Sequence, residues 1–409
     1  MPCDGAVTKA RAIASATVVM ALLGAGCNSR LIRPPLTIYV DGGGRQVSAT
    51  VRERDYHFNS VMLSFFPSRA PVHPGDAVNF ELRDSGEPHT VAMGRLVDRA
   101  LTALSTLGGT EGSRTIEGLP QMQKLPSVFP NTVSGDSPRV NASAARRCFL
   151  DSGSPPVSSS GGAPACRERD QPEFDGTHEF YSSGYLEEGE PFRVKLASDL
   201  RPGAYAFMCL VHRSSMTGAI EVRASDVERP PVAEMREQGR DQENEVTSTL
   251  EPPARRSAQR NEDTVLAGTG PVGRARGLLS SFIPELKRTK AGEPVTWELF
   301  GTHSISFEPS RDAEEGILIE DDDGVHLNLD AWRAVSSVSD PRAFSFPPAE
   351  PTLEINGGTW SGEGAFSSGV LRATAPATIT YTLAFEDPGT FRYRCLVHPR
   401  MRGRVLVDG

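Results

Sequence analysis

The feature that most constrains this chain is that it repeats itself. Ser64-Phe65-Phe66-Pro67 through Pro74-Gly75-Asp76-Ala77-Val78-Asn79-Phe80-Glu81-Leu82 aligns without gaps on Ser281-Phe282-Ile283-Pro284 through Ala291-Gly292-Glu293-Pro294-Val295-Thr296-Trp297-Glu298-Leu299. The correspondence resumes at Phe180-Tyr181-Ser182-Ser183-Gly184-Tyr185-Leu186 against Ala365-Phe366-Ser367-Ser368-Gly369-Val370-Leu371, and again at Pro202-Gly203 against Pro388-Gly389. At 409 residues the chain exceeds what one hydrophobic core usually organises, so two copies of one domain are expected.

In each copy a Gly-centred turn leads into Val78, Phe80 and Leu82, or Val295, Trp297 and Leu299. These alternate with polar residues, the period of a half-buried strand. Short runs of this kind, punctuated by 39 Gly and 32 Pro and with little sustained helical periodicity, predict an all-β fold of two Greek-key β-sandwich domains in tandem. The first domain is expected over 36–224. It is interrupted at about 108–172 by a Ser, Gly and Pro-rich surface insertion with no counterpart of equal length in the second copy. Residues 225–263 read as a polar linker in which Val232 to Leu250 could form an exposed helix, and 264–409 as the second domain.

Lys9 and Arg11 precede an apolar run from Ala12 to Ala25 and then Gly26-Cys27, the layout of a secretory signal over residues 1–27. An exported protein, periplasmic or extracellular, is therefore expected. Leu22-Leu23-Gly24-Ala25-Gly26-Cys27 resembles a bacterial lipoprotein processing site, although Gly24 stands where that pattern usually has Leu. Membrane attachment through a lipidated Cys27 is one expectation; an ordinary cleaved signal with an incidental Cys27 is the other. No later stretch approaches the ~20 apolar residues of a transmembrane helix. The net charge of −9 is spread along the chain, with no block of Lys and Arg alternating with aromatics, which points away from nucleic acid. In an exported chain, Cys148 and Cys166 of the insertion are expected to form a disulfide rather than a metal site.

Each copy ends on one phrase: Cys209-Leu210-Val211-His212-Arg213-Ser214-Ser215-Met216-Thr217-Gly218, and Cys395-Leu396-Val397-His398-Pro399-Arg400-Met401-Arg402-Gly403. Upstream, just past the alternating strand, stands His89 in the first copy and His303 in the second. Tyr205, Phe207 and Cys209, like Phe391, Tyr393 and Cys395, lie at alternate positions, which puts each thiol at a strand end on the inward face with aromatics. Two imidazoles and a thiolate with a long, weak thioether contact make a blue-copper ligand set: soft sulfur suits Cu(I), and imidazole suits both oxidation states.

On these motifs both repeats resemble cupredoxins of the plastocyanin and azurin type, especially short-loop members with a Cys-x-x-His-Pro-x-Met-x-Gly phrase. The resemblance covers nearly everything after the signal except insertion and linker. It implies one type 1 copper per domain, held by His89, Cys209, His212 and Met216 in the first copy and by His303, Cys395, His398 and Met401 in the second. It also implies single-electron transfer between a redox donor and acceptor protein, with Thr90 and Ser304 supplying hydrogen bonds around the ligands. The first copy departs from the pattern by one extra residue between His212 and Met216 and by Arg213 where the second has Pro399.

Two rival functions stay open. Copper storage or delivery would use the same ligands. A two-domain copper oxidase or nitrite reductase would need a further copper centre and so more histidines. The chain has eight His and no His-x-His or His-Cys-His phrase, and Met208 and Arg394 precede the two Cys, so an electron carrier rather than an enzyme is expected. His57, His73, His178 and His326 have no repeated partner and read as surface or loop residues. Glu320-Asp321-Asp322-Asp323-Gly324 lacks the spaced oxygen ligands of a calcium loop and reads as a solvated acidic turn. No Gly-x-Ser-x-Gly phrase supports a hydrolase.

Overall fold

The computed structural model describes residues 34–43, 45–83, 87–106, 118–126, 128, 140, 142–150, 171–260, 263–271, 276–321, 324–335, 352–373 and 378–409. The expected signal segment, its Cys27, and Cys166 of the expected disulfide lie outside the described residues. Strands of the first half are β1 Leu36–Val40, β2 Gln46–Val51, β3 Arg54–Val61, β4 Phe65–Phe66, β5 Arg69–Val72, β6 Ala77–Leu82, β7 Thr90–Met93, β8 Cys148–Leu150, β9 Phe180–Tyr185, β10 Phe192–Lys195, β11 Gly203–Met208 and β12 Thr217–Val222. Those of the second half are β13 Thr264–Thr269, β14 Leu278–Ile283, β15 Leu286–Lys290, β16 Val295–Leu299, β17 Gly301–His303, β18 Ser306–Phe307, β19 Leu318–Asp321, β20 Gly324–Leu327, β21 Thr352–Trp360, β22 Phe366–Ser367, β23 Leu371–Ala373, β24 Thr378–Phe385, β25 Gly389–Arg394 and β26 Arg402–Asp408.

The chain is mostly β, and one strand order occurs twice. In the first half β10-β6-β1-β4 faces β5-β12-β11-β7-β9; in the second β24-β16-β13-β14 faces β15-β26-β25-β18-β22. Even the parallel pairs correspond: β1 with β6 and β13 with β16, then β5 with β12 and β15 with β26. The alternation read from sequence is the burial seen, with Val78, Phe80 and Leu82, and Val295, Trp297 and Leu299, pointing inward. Side chains from both sheets meet in each core. Phe207 packs edge-on against Phe65 and Phe80 in one, and Tyr393 against Trp297 in the other. The Gly that closes each Cys-His-Met phrase has a steric cause here: a Cβ on Gly218 would lie 2.3 Å from the Phe207 ring, and one on Gly403 2.4 Å from that of Tyr393.

Three expectations need correction. The polar segment is a helix, α2, over Val232–Gln259, and it is docked rather than exposed. Met235, Gly239, Glu243, Val246, Leu250 and Ala254 are buried at steps of four with one step of three, the spacing of one helix face. The stripe is hard to read because two of its members are a Gly and a Glu. Gly239 lies against the Phe66–Pro67 backbone, and Glu243 meets Arg45 at 2.7 Å and Arg83 at 3.2 Å. Among the described residues no helix is long and apolar enough to cross a membrane.

The second correction concerns the insertion, which is not only surface. After β7 the helix α1, Arg95–Ser105, packs Leu96, Val97, Ala100 and Leu104 into a cluster with Phe180, Met208 and Leu210. Met122, Leu125 and Val128 of the insertion join that cluster, and β8 adds a strand beside β9. Thirdly, of the four unrepeated histidines read as surface or loop residues, His73 and His178 do lie in loops but are buried, His326 is buried in a strand, and only His57 is exposed. Polar partners make burial tolerable: His73 Nε2 bonds the Val227 carbonyl at 2.8 Å, and His178 Nδ1 lies 3.0 Å from Asp175.

The halves are joined by backbone as well as side chains. Hairpin β2–β3 extends the sheet of the second half through β3 and β14, with Val61 opposite Leu278 and Ser60 opposite Leu279. Leu250 of α2 fills the cluster this joint creates, among Val47, Phe58, Leu266, Leu279 and Ile283. Leu250→Ala is therefore expected to lower the unfolding free energy by about 2–5 kcal/mol, whereas Glu237→Ala on the exposed face of α2 changes it by less than about 0.5 kcal/mol. Denaturant titration of the metal-free chain checks both.

Candidate metal centres

The sandwich brings each repeated phrase against the strand that carries the upstream His. His89 stands at the threshold of β7 and Cys209 just beyond the end of β11, which pairs with β7. His303 ends β17, and Cys395 follows β25. In the first half the Cys209 sulfur lies 3.8 Å from His89 Nδ1 and 3.7 Å from His212 Nδ1. In the second the Cys395 sulfur lies 3.8 Å from His303 Nδ1 and 3.5 Å from His398 Nδ1. Metal bonds of about 2.0–2.3 Å at near-trigonal angles place imidazole and thiolate donors about 3.8 Å apart, so each trio has the spacing that a metal ion needs.

The thioethers complete each loop. Met216 and Met401 are both fully buried, in the same apolar clusters as Cys209 and Cys395. Their carbonyls accept the N–H of Cys209 at 3.0 Å and of Cys395 at 2.9 Å, which closes the loops. The extra residue of the first loop is absorbed by a single 3₁₀ turn, Arg213–Ser215. There Met216 N–H bonds to Arg213, whereas Met401 N–H bonds directly to His398. Arg213 enters that turn at φ +48°, and its guanidinium donates to the Met122 carbonyl at 2.6 Å.

Thr90 and Ser304 act through both backbone and hydroxyl. The N–H of Thr90 points to the Cys209 sulfur at 3.5 Å, while its hydroxyl accepts the Leu210 N–H at 2.7 Å. Ser304 repeats this clasp at 3.4 Å to Cys395 and 2.8 Å from Leu396.

All four histidines turn Nε2 away from sulfur and toward a polar acceptor, which aims Nδ1 at the site. His89 Nε2 meets the buried Asp41 carboxylate at 3.3 Å, and His303 Nε2 donates to the Phe300 carbonyl at 2.8 Å. Strand register explains the difference. Leu36 pairs with Val78 and Thr264 with Thr296, so Asp41 and Gly268 occupy one structural position, at φ +65° and +76°. A side chain at Gly268 would stand 2.3 Å from His303 Nε2, so the glycine opens the space that lets the ring reach the backbone.

The other two histidines share a single acceptor. His398 Nε2 donates to Glu87 Oε1 at 2.5 Å, and His212 Nε2 lies 3.2 Å from Glu87 Oε2, within ion-pair distance. One carboxylate thus touches a ring from each centre. Asp41, Gly268 and Glu87 carry no signal that sequence reasoning could use. Glu87 lies two residues before His89, but its contact with His398 spans 311 positions.

Electrostatics follow from this packing. Burial opposes a charged thiol, yet His212 and His89 together hold Cys209 well below its usual range, and His303 with His398 do the same for Cys395. Burial opposes a charged imidazole as well, but Asp41 and Cys209 push His89 up to about 10, and Glu87 with Cys395 push His398 up to about 10. Glu87, despite burial, is held well below the ordinary carboxyl range by His398 and His212. A metal ion entering these sites meets thiolates and displaces imidazole protons. The ultraviolet thiolate absorbance of the folded, metal-free chain is therefore expected at pH 7. It should vanish on unfolding, when both thiols return toward the ordinary range of a free cysteine.

No family model and no curated protein sequence matches this chain. Among solved structures it is similar to amicyanin from Paracoccus versutus, with TM-score 0.18 and 18% identity over 37% of this chain and 88% of that one. It is similar to dithionite-reduced auracyanin from the photosynthetic bacterium Roseiflexus castenholzii, with TM-score 0.17 and 14% identity over 32% of this chain and 88% of that one. It is also similar to the multicopper oxidase mgLAC, with TM-score 0.17 and 12% identity over 91% of this chain and 86% of that one.

Proposed function

We propose that this chain is a tandem cupredoxin whose two type 1 copper centres pass single electrons between redox proteins outside the cytoplasm. The observation that carries the reading is a ligand set that occurs twice. In each half two Nδ1 atoms and a sulfur converge at 3.5–3.8 Å, with every Nε2 turned onto an acceptor and a buried Met closing the loop. His89, Cys209, His212 and Met216 would hold one copper ion and His303, Cys395, His398 and Met401 the other. Copper supplies a one-electron couple, and thiolate with imidazole suits both of its oxidation states.

The protein's own part is rigidity. Clasped by Thr90 and Ser304, the ligands have little room to rearrange, and a site that barely moves loses little energy to reorganisation. Burial favours electron transfer over copper delivery. His89, Cys209, Met216, His303, Cys395 and Met401 are all 0% exposed, so an incoming acceptor for the metal meets only the edges of His212 and His398, at 15% and 3% exposure. The four remaining histidines lie elsewhere, bonded to Ser48, bonded to Val227, beside Asp175, and in hairpin β19–β20. They offer nothing toward the further copper centre of an oxidase, so the chain is proposed to be a carrier and not an enzyme. The signal-like layout up to Cys27 supports export, with lipid attachment to a membrane part of the same proposal.

The visible spectrum of the oxidised, copper-loaded protein tests the reading. An intense blue thiolate-to-copper band with two coppers per chain is expected, and Cys209→Ser and Cys395→Ser should each remove one copper while sparing the other. A colourless chain without copper would make the sandwiches structural and end the proposal.

The centres are also expected to differ in potential. The Asp41 carboxylate makes His89 the more basic ligand and favours Cu(II), so the first centre should lie lower than the second, whose His303 faces a carbonyl. Asp41→Asn should raise the first potential alone. A tenfold change in relative affinity corresponds to about 59 mV for one electron, within reach of a redox titration.

A further inference from the structure

The outer edges of the two centres face one another. His212 and His398 each present Nε2 to the same side chain, and the exposures of His212, His398 and Glu87 are 15%, 3% and 10%. The carboxylate spans the joint with one oxygen toward each ring, at 2.5 Å from His398 and 3.2 Å from His212. Around it the halves are locked. Asn59 Nδ2 donates to the Arg400 carbonyl at 3.0 Å, two residues from His398, and Asn59 N–H donates to Ser281 Oγ at 2.8 Å. The strand pairing of β3 with β14 fixes the same joint through backbone.

We infer that Glu87 makes the two centres one relay, the path His212–Glu87–His398 carrying an electron from one to the other inside the chain. The inference rests on the copper reading above. On this path both imidazoles bind metal through Nδ1 and reach the shared carboxylate through Nε2, so the link is made of conjugated rings and two polar contacts with no solvent gap. In the step, Cu(I) at one centre is oxidised to Cu(II) as Cu(II) at the other is reduced to Cu(I), and no bond forms or breaks. Direction comes from the unequal partners of the upstream histidines. The electron moves from the centre backed by Asp41 to the centre backed by the Phe300 carbonyl. Glu87 is a positioning residue, since it would act through the two rings and touch neither metal.

The test uses the full copper-loaded chain. A flash reductant adds about one electron per oxidised chain, and rapid-freeze electron paramagnetic resonance follows both Cu(II) signals, assigned on the Cys209→Ser and Cys395→Ser proteins. The electron should redistribute at a rate independent of protein concentration. Compared at the copper occupancy that each variant retains, Glu87→Ala should slow that rate about tenfold or more, with Glu87→Gln falling between. If Glu87→Ala loses copper, the Glu87→Gln protein of similar volume carries the comparison. An undiminished rate in these variants, or redistribution only by collision between molecules, overturns the relay. Absence of copper or of the blue band in the parent chain overturns the reading beneath it, and the relay with it.

Discussion

The thiol of each repeat is held by the strand beside it, and that reciprocal clasp is what the rest of each half supports. Thr90 and Ser304 give a backbone N–H to the sulfur and take the next loop N–H on their hydroxyls. A buried N–H left without an acceptor costs about 1–3 kcal/mol, so the clasp holds the loop in one place rather than leaving it to wander. The two facing sheets then need only carry a strand end with Cys to a strand threshold with His. Phe207 and Tyr393, two residues before the thiols, anchor those strand ends in the aromatic core.

A second constraint acts between the halves. Helix α2, hairpin β2–β3 and the Glu243 carboxylate with Arg45 and Arg83 bind one sandwich to the other over apolar, backbone and charged contacts at once. Burying Glu243 is tolerable because both guanidiniums meet it, and the same holds for Glu87 between two imidazoles. Without the first arrangement the second would have no fixed geometry. The joint is therefore part of the site, because the second half alone lacks the carboxylate that its outer histidine, His398, meets.

The two candidate centres are alike in their donors and unlike in their surroundings. One structural position holds Asp41 in one half and Gly268 in the other, both in the left-handed region of backbone conformation. The aspartate places a carboxylate behind His89; the glycine, lacking a side chain, lets the Phe300 carbonyl take that role behind His303. A single difference at a strand end thus changes the acceptor behind a ring without altering the ring.

The repeated Cys-His-Met phrase, the matched upstream His and the alternating apolar strands were legible because each is written in contiguous residues with a fixed period. From them the amino-acid sequence by itself determined an all-β chain, its two-fold repetition, and which donor types converge in each copy. Tertiary structure alone decided the burial of α2, whose inner stripe includes Gly239 and Glu243, and of His73, His178 and His326. It alone decided the partners of the imidazoles as well, because Asp41 reaches His89 across 48 positions and Glu87 reaches His398 across 311. Local spacing encodes what a strand or loop presents. Which buried polar group meets it depends on how two sandwiches pack, and no periodicity along the chain records that.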